Sequence, residues 1–82
     1  MQIQTLRLSL ELQGAGELNQ TWSATWPHPF SETPAVVAQV NGAPAEARCR
    51  VAIRGANQAR VAGELFSDFD GKFELVLIGV SD

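Results

Sequence analysis

The sequence holds one cysteine, Cys49, and one histidine, His28. A single thiol cannot close a disulfide within the chain, and one Cys with one His is too small a set for a zinc site. Charge is scarce at 18% of residues and has no basic surplus: six Lys+Arg stand against nine Asp+Glu, a net charge of -3. A nucleic-acid binder carries the opposite balance, so no nucleic-acid partner is expected. No apolar run approaches the roughly 20 residues that span a bilayer, so no membrane insertion is expected. The start, Met1-Gln-Ile-Gln-Thr-Leu-Arg7, lacks the cationic and then continuously apolar pattern of a signal peptide. The expectation is a protein made and kept in a cytoplasm, or one that leaves by lysis as part of a particle.

What is present is apolar. Hydrophobic residues make up 45% of the 82, enough to fold and too many for a disordered tail. The length fits one domain over residues 1–82. A chain of this size buries only about 60–65% of the surface its unfolded form exposes. With no disulfide or metal to supplement the core, self-association is the expected supplement.

The pattern along the chain is period two. Leu6, Leu8, Leu10 and Leu12 alternate with Arg7, Ser9 and Glu11, as in a half-buried strand, until Gly14-Ala-Gly16 breaks the run. Trp22, Ala24 and Trp26 share one face of a second strand. The stretch Pro27 to Pro34 holds three prolines, each lacking a ladder donor, and reads as a rigid, exposed loop suited to contact. Ala35 to Val40 suits a third strand, ended by the Asn41-Gly42 turn signal. Ala47 to Arg54 sets Cys49, Val51 and Ile53 against Arg48, Arg50 and Arg54, and Gly55-Ala-Asn57 is the next turn. Ala59 to Phe66 is a fifth strand, less regular around Gly63, and Asp68-Phe-Asp-Gly71 is a loop with Asp-Gly turn chemistry.

Phe73 to Val80 is a sixth strand, apolar on both faces: Phe73, Leu75 and Leu77 on one, Val76, Ile78 and Val80 on the other. Antiparallel sheets normally keep one face wet, so this strand needs a second cover, for which another subunit is the natural source. Helical spacing over Ala43 to Val51 is opposed by Pro44 and by the arginine alternation. Six short strands without a helix predict an all-β sandwich or barrel.

No catalytic set emerges. A nucleophile would have to combine Cys49 or a serine with His28, which sits between two prolines, while Cys49 shares its face with Val51 and Ile53. Gly14-Ala-Gly16 lacks the third glycine and the helix of a phosphate loop. Asp68 and Asp70 resemble a fragment of a calcium loop, but Gly71 and Lys72 follow where further oxygen ligands are required, so a turn is expected. Glu32 and Glu46 read as isolated surface carboxylates. No enzyme activity, cofactor or metal is expected.

Two binding constellations remain open. Arg48, Arg50 and Arg54 share a strand face, and Arg60 lies across a short turn. Such a row binds carboxylates or sugar hydroxyls, clamps a neighbouring subunit, or simply solvates a sheet face against edge pairing. Trp22 and Trp26 are a sugar-stacking platform, an interface anchor, or core.

The stretch Thr21-Trp-Ser-Ala-Thr-Trp-Pro-His-Pro-Phe30, followed by Thr33-Pro-Ala-Val-Val37, resembles the "pF…PxV" stretch of H-type lectin domains and of lectin-like domains in phage tail-fibre and spike proteins. Arg50 to Asn57 is similar to the strand and turn that follow it there, and Phe73 to Gly79 to the closing strand. The resemblance covers roughly residues 16 to 80. It implies a six-stranded antiparallel β-sandwich assembled as a parallel homotrimer, with a sugar held at the subunit interface in the lectins and a fibre, spike or tip role in the phage proteins. The lectins' tryptophan before the last strand has no match, Phe66 or Phe69 being the nearest aromatic. The resemblance loosely matches Arg50 to a sugar-contacting arginine of the family.

The expectation is therefore a non-enzymatic homotrimer that is a structural or host-attachment component of a phage or phage-like virion, with other virion proteins and a host-surface glycan as partners. Leu6, Leu8, Leu10, Trp22, Val51 and Ile53 would supply the core; Trp22, Val76, Ile78 and Val80 are the candidate interface residues. Free-standing length suits a module that caps, decorates or tips a larger assembly. The alternative is a carbohydrate-binding lectin using Arg50, Trp26, Phe66 and Phe69; a third reading is a small protein that binds and inhibits one partner.

Overall fold

Each run of period-two alternation forms a strand. A computed structural model describes residues 1–42 and 47–82 and contains β1 (Gln2–Leu12), β2 (Leu18–Thr25), β3 (Ala35–Asn41), β4 (Cys49–Ala56), β5 (Arg60–Ser67) and β6 (Gly71–Ser81). No helix occurs among the described residues. The readings of Glu46 and of helical spacing from Ala43 touch residues outside those described.

The strands form two three-stranded antiparallel sheets, β1-β6-β3 and β2-β5-β4, laid face to face as a sandwich. The two central strands, β5 and β6, are therefore the most deeply covered. Val61, Leu65, Phe73, Leu75 and Leu77 point inward from them and are buried. Leu12, Trp22, Trp26 and Phe30 complete the core, and Leu6, Leu8, Leu10 and Val51 pack half-buried around it. Burying a leucine or phenylalanine side chain contributes about 1.5–3 kcal/mol, so this cluster is the main favourable term.

Two glycines on the central strands make room for tryptophan. A Cβ on Gly63 would run into the Ala52 carbonyl oxygen and come within 2.7 Å of Trp22 Cζ2. A Cβ on Gly79 would stand 2.8 Å from Trp26 Cη2 and 3.0 Å from Phe30 Cζ. The irregularity expected at Gly63 is thus a close approach, while the register break falls on β4, between Ile53 and Gly55.

Two expectations are corrected here. Ile53 is not core: it is 37% exposed on the edge strand β4, opposite Gly63, where the ring of Trp22 takes the inner volume and the bulge begins. Trp22 is not an interface anchor, because it is buried inside its own chain.

The proline loop closes one end of the sandwich. Trp26 N–H donates to the Ala59 carbonyl (2.9 Å) and Phe30 N–H to the Gln58 carbonyl (2.8 Å). Gln4 grips the His28 peptide twice, Oε1 accepting from its N–H (3.0 Å) and Nε2 donating to its carbonyl (2.7 Å). Pro27, His28, Pro29 and Ser31 to Thr33 are exposed, as expected of a contact loop, while Phe30 and Pro34 are buried beneath.

Candidate functional site

The inward side chains are an apolar core, and among the described residues the charged groups lie on the two outer faces and the loops. On the outer face of the β2-β5-β4 sheet, register sets Asn19, Phe66 and Arg50 in one cross-strand row and Thr21, Glu64 and Ala52 in the next. The Arg50 guanidinium lies over the Phe66 ring, 4.6 Å from its centroid. Such a cation–π contact at an exposed site contributes about 0.5–1 kcal/mol and holds the guanidinium plane in place. Glu64 ties both edge strands to the centre: Asn19 Nδ2 donates to Oε2 (3.4 Å), and Arg54 Nε stands 3.4 Å from Oε1.

The Arg50–Phe66 pair lines a groove of about 340 Å³ shared with Glu17, Leu18, Arg48 and Asp68. Asp68 Oδ1 accepts the Arg48 backbone N–H (2.8 Å), which fixes the entry to β4. Ser67 Oγ accepts from Phe69 N–H and donates to the Phe69 carbonyl, each at 3.1 Å, shaping the turn, and Cys49 Sγ donates to that same oxygen (3.4 Å). Arg48, Arg50, Glu17 and Asp68 therefore line one groove, a mix of donor and acceptor residues that suits a hydroxyl-rich ligand.

Of the residues singled out as ligand-binding, the structure brings Arg50 and Phe66 together and sets Phe69, half-buried, at the adjoining turn. It does not bring Trp26, which corrects that assignment. Trp26 is buried against Phe30 and Gly79, and it follows Asn19 by seven residues, a separation on the order of 23 Å along β2. Nor do Cys49 and His28 meet: Cys49 lies opposite Ser67 at one end of the β4-β5 ladder, and His28 lies in the loop bonded to β5's other end. The arginines do not act as one row. Arg48 precedes β4, Arg50 stacks on Phe66, and Arg54 pairs with Glu64.

The outer face of the β1-β6-β3 sheet is divided. At one end its rows read Ile3, Val80, Ala35 and Thr5, Ile78, Val37; then come Arg7, Val76, Gln39 and Ser9, Glu74, Asn41. Val37 is 63% exposed, Ile3 59% and Ile78 37%. Arg7 Nη1 stands 3.3 Å from Glu74 Oε1 at the polar end. Val76, Ile78 and Val80 thus lie on an outward face, open within this chain.

Sequence reasoning missed the groove and the Gln4 clamp. The groove depends on a register that crosses the β4 bulge: counting back from the Gly55-Ala-Asn57 turn sets Arg50 opposite Ser67, and only the shift between Ile53 and Gly55 brings it to Phe66. The clamp carries no local signal, since its partners are 24 residues apart.

No protein-family model matches the sequence, and no curated protein matches it. The fold is similar to part of the tailspike of Pseudomonas phage phi297, with a TM-score of 0.71 at 14% identity. The likeness covers 98% of this chain and 15% of that one, so the chain spans about 15% of the tailspike's length. At that identity the likeness is one of fold: a phage-tailspike-like, six-stranded β-sandwich.

Proposed function

We propose that this chain is a structural or host-attachment module of a phage or phage-like virion, a homotrimeric, lectin-like unit of a tail fibre or spike. The observation that carries the reading is the tailspike likeness over 98% of the chain. The open apolar face fits it: Val76, Ile78 and Val80 lie outward on the central strand β6, where neighbouring subunits would cover them. The module works by contact and not by catalysis, bound to other virion proteins and presenting the loop from Pro27 to Pro34. The test is association with particles. Antibody against the purified chain should label density-purified particles from a lysate of its source. Particles free of the chain, with the chain wholly in the soluble fraction, would remove this reading.

The Arg50–Phe66 groove favours a second reading, carbohydrate recognition by the same module. Arg48, Glu17 and Asp68 line it beside the stacked Arg50 and Phe66, a set of polar residues next to an aromatic that suits a host-surface glycan. In a glycan array, binding competed by free sugar and lost in Arg50→Ala would support it. Binding that survives Arg50→Ala would place recognition elsewhere.

A further inference from the structure

An edge strand exposes a row of unpaired N–H and C=O groups, and proteins normally guard it with charge, proline, a bulge or a covering group. Three of the four edges here are guarded. β1 carries Arg7 and Glu11; β4 carries Arg50, Arg54 and the bulge; and on β2 the Gln20 side chain donates to the Thr21 carbonyl of its own strand (2.9 Å). β3, Ala35-Val-Val-Ala-Gln-Val-Asn41, has no charge, no proline and no bulge. Only its β6 side is paired among the described residues. The guard on β1 is also local: Gln2 to Leu6 is uncharged, and register sets this half level with the start of β3, at the apolar end of the face.

We propose that the β3 edge of one copy pairs in parallel with the Gln2–Leu6 half of β1 of the next copy, so that three copies close a ring of nine strands around the apolar face. The inference rests on the trimeric reading and specifies its seam. Both β1 and β3 run antiparallel to β6, so they run parallel to each other, and a rotation axis along the strands preserves that direction. One operation then satisfies both open edges and covers Ile3, Val37, Ile78 and Val80. A two-fold β3–β3 pairing would satisfy one edge and leave the face open. Nine strands are one more than the eight whose interior side chains just fill, and at the apolar end Ile3, Val37, Ile78 and Val80 of three copies would line that interior, with Ala35 and Thr5 between them.

The test is cysteine cross-linking in a Cys49→Ser background. Val37→Cys is combined in turn with Ile3→Cys, Thr5→Cys and Arg7→Cys, which spans register slips that keep the same face inward. All four sites are exposed, so the fold tolerates them. On mild oxidation at least one pair should give covalent species of two and three chains, while Val37→Cys alone stays at 8.8 kDa. A dimer from Val37→Cys alone would overturn the ring in favour of two-fold pairing. A trimeric mass by light scattering with no cross-link in any pair would overturn the seam and leave the trimeric reading standing. A monomeric mass would overturn both.

Discussion

Trp26 meets Phe30 edge-on, ring centroids 5.2 Å apart at 85°, and both rings reach over the bare Cα of Gly79. This contact joins the proline loop to the centre of the β1-β6-β3 sheet, so the loop's position depends on the absence of one methyl group. Gly79→Ala should cost about 1–3 kcal/mol, the usual penalty for overpacking, read as a lower urea midpoint with an unchanged m-value. An unchanged midpoint would mean that the aromatic pair is free to move aside.

Gly63→Ala should cost more than Gly79→Ala. The Cβ at position 63 meets the Ala52 backbone carbonyl, which cannot rotate away as a side chain can, and Trp22 closes the other side. The expected loss exceeds about 3 kcal/mol, enough to unfold a marginal 82-residue domain at 37 °C. If the two alanine variants melt at the same temperature, the close packing of β5 against β4 is not limiting.

Both indole N–H groups, Trp22 Nε1 and Trp26 Nε1, are buried with no hydrogen-bond partner among the described residues. An unpaired buried donor costs about 1–3 kcal/mol, which offsets part of what a large ring contributes by burial. Trp26→Phe therefore loses ring volume but removes an orphaned donor, and should destabilise by less than about 2 kcal/mol, well short of Trp26→Ala at about 3–5 kcal/mol. Chemical denaturation of the pair checks this, and a loss well above about 2 kcal/mol in Trp26→Phe, that of a broken hydrogen bond plus the lost ring volume, would show that the N–H is satisfied in solution.

The strands were legible because alternation is a local property. The leucines of β1 and the Phe73, Leu75 and Leu77 face of β6 state their inward direction within a few residues of sequence. Sheet order and register are not local, and every error traces to them. Ile53 looked like core from its alternation with Val51, but its inner volume belongs to Trp22, reached across Gly63 from another strand. Trp26 and Arg50 looked like one site because both are sugar-binding residue types, yet they stand near opposite ends of the sheet. Arg50 and Phe66, separated by 16 positions, became neighbours only through the β4-β5 ladder.

Glu64 gives the outer face of that sheet its lateral ties. With Asn19 on one edge strand and Arg54 on the other, Glu64→Ala removes both contacts at once. Partly exposed pairs of this kind contribute about 0.2–1 kcal/mol, so the expected loss is near 1 kcal/mol at low salt and smaller at 1 M NaCl, as the Arg54 part is screened. A loss that does not change with salt would assign the effect to packing of the side-chain stem.

Ile78 separates the face from the edges. It lies on the central strand β6, pairs on both sides within its own sheet, and points outward at 37% exposure. Ile78→Glu therefore touches no free backbone edge and removes nothing from the core, so the monomer should fold with near-native circular dichroism. Three carboxylates brought to one axis would repel in a poorly solvated space, a cost of several kcal/mol that no small interface withstands. The mass by light scattering should fall from the proposed trimer's value of about 26 kDa, three chains of 8.8 kDa, to about 9 kDa. A variant that unfolds instead would show that the face is covered from within the chain, and one that stays trimeric would put the three-fold contact on the other sheet, beside Arg50 and Phe66.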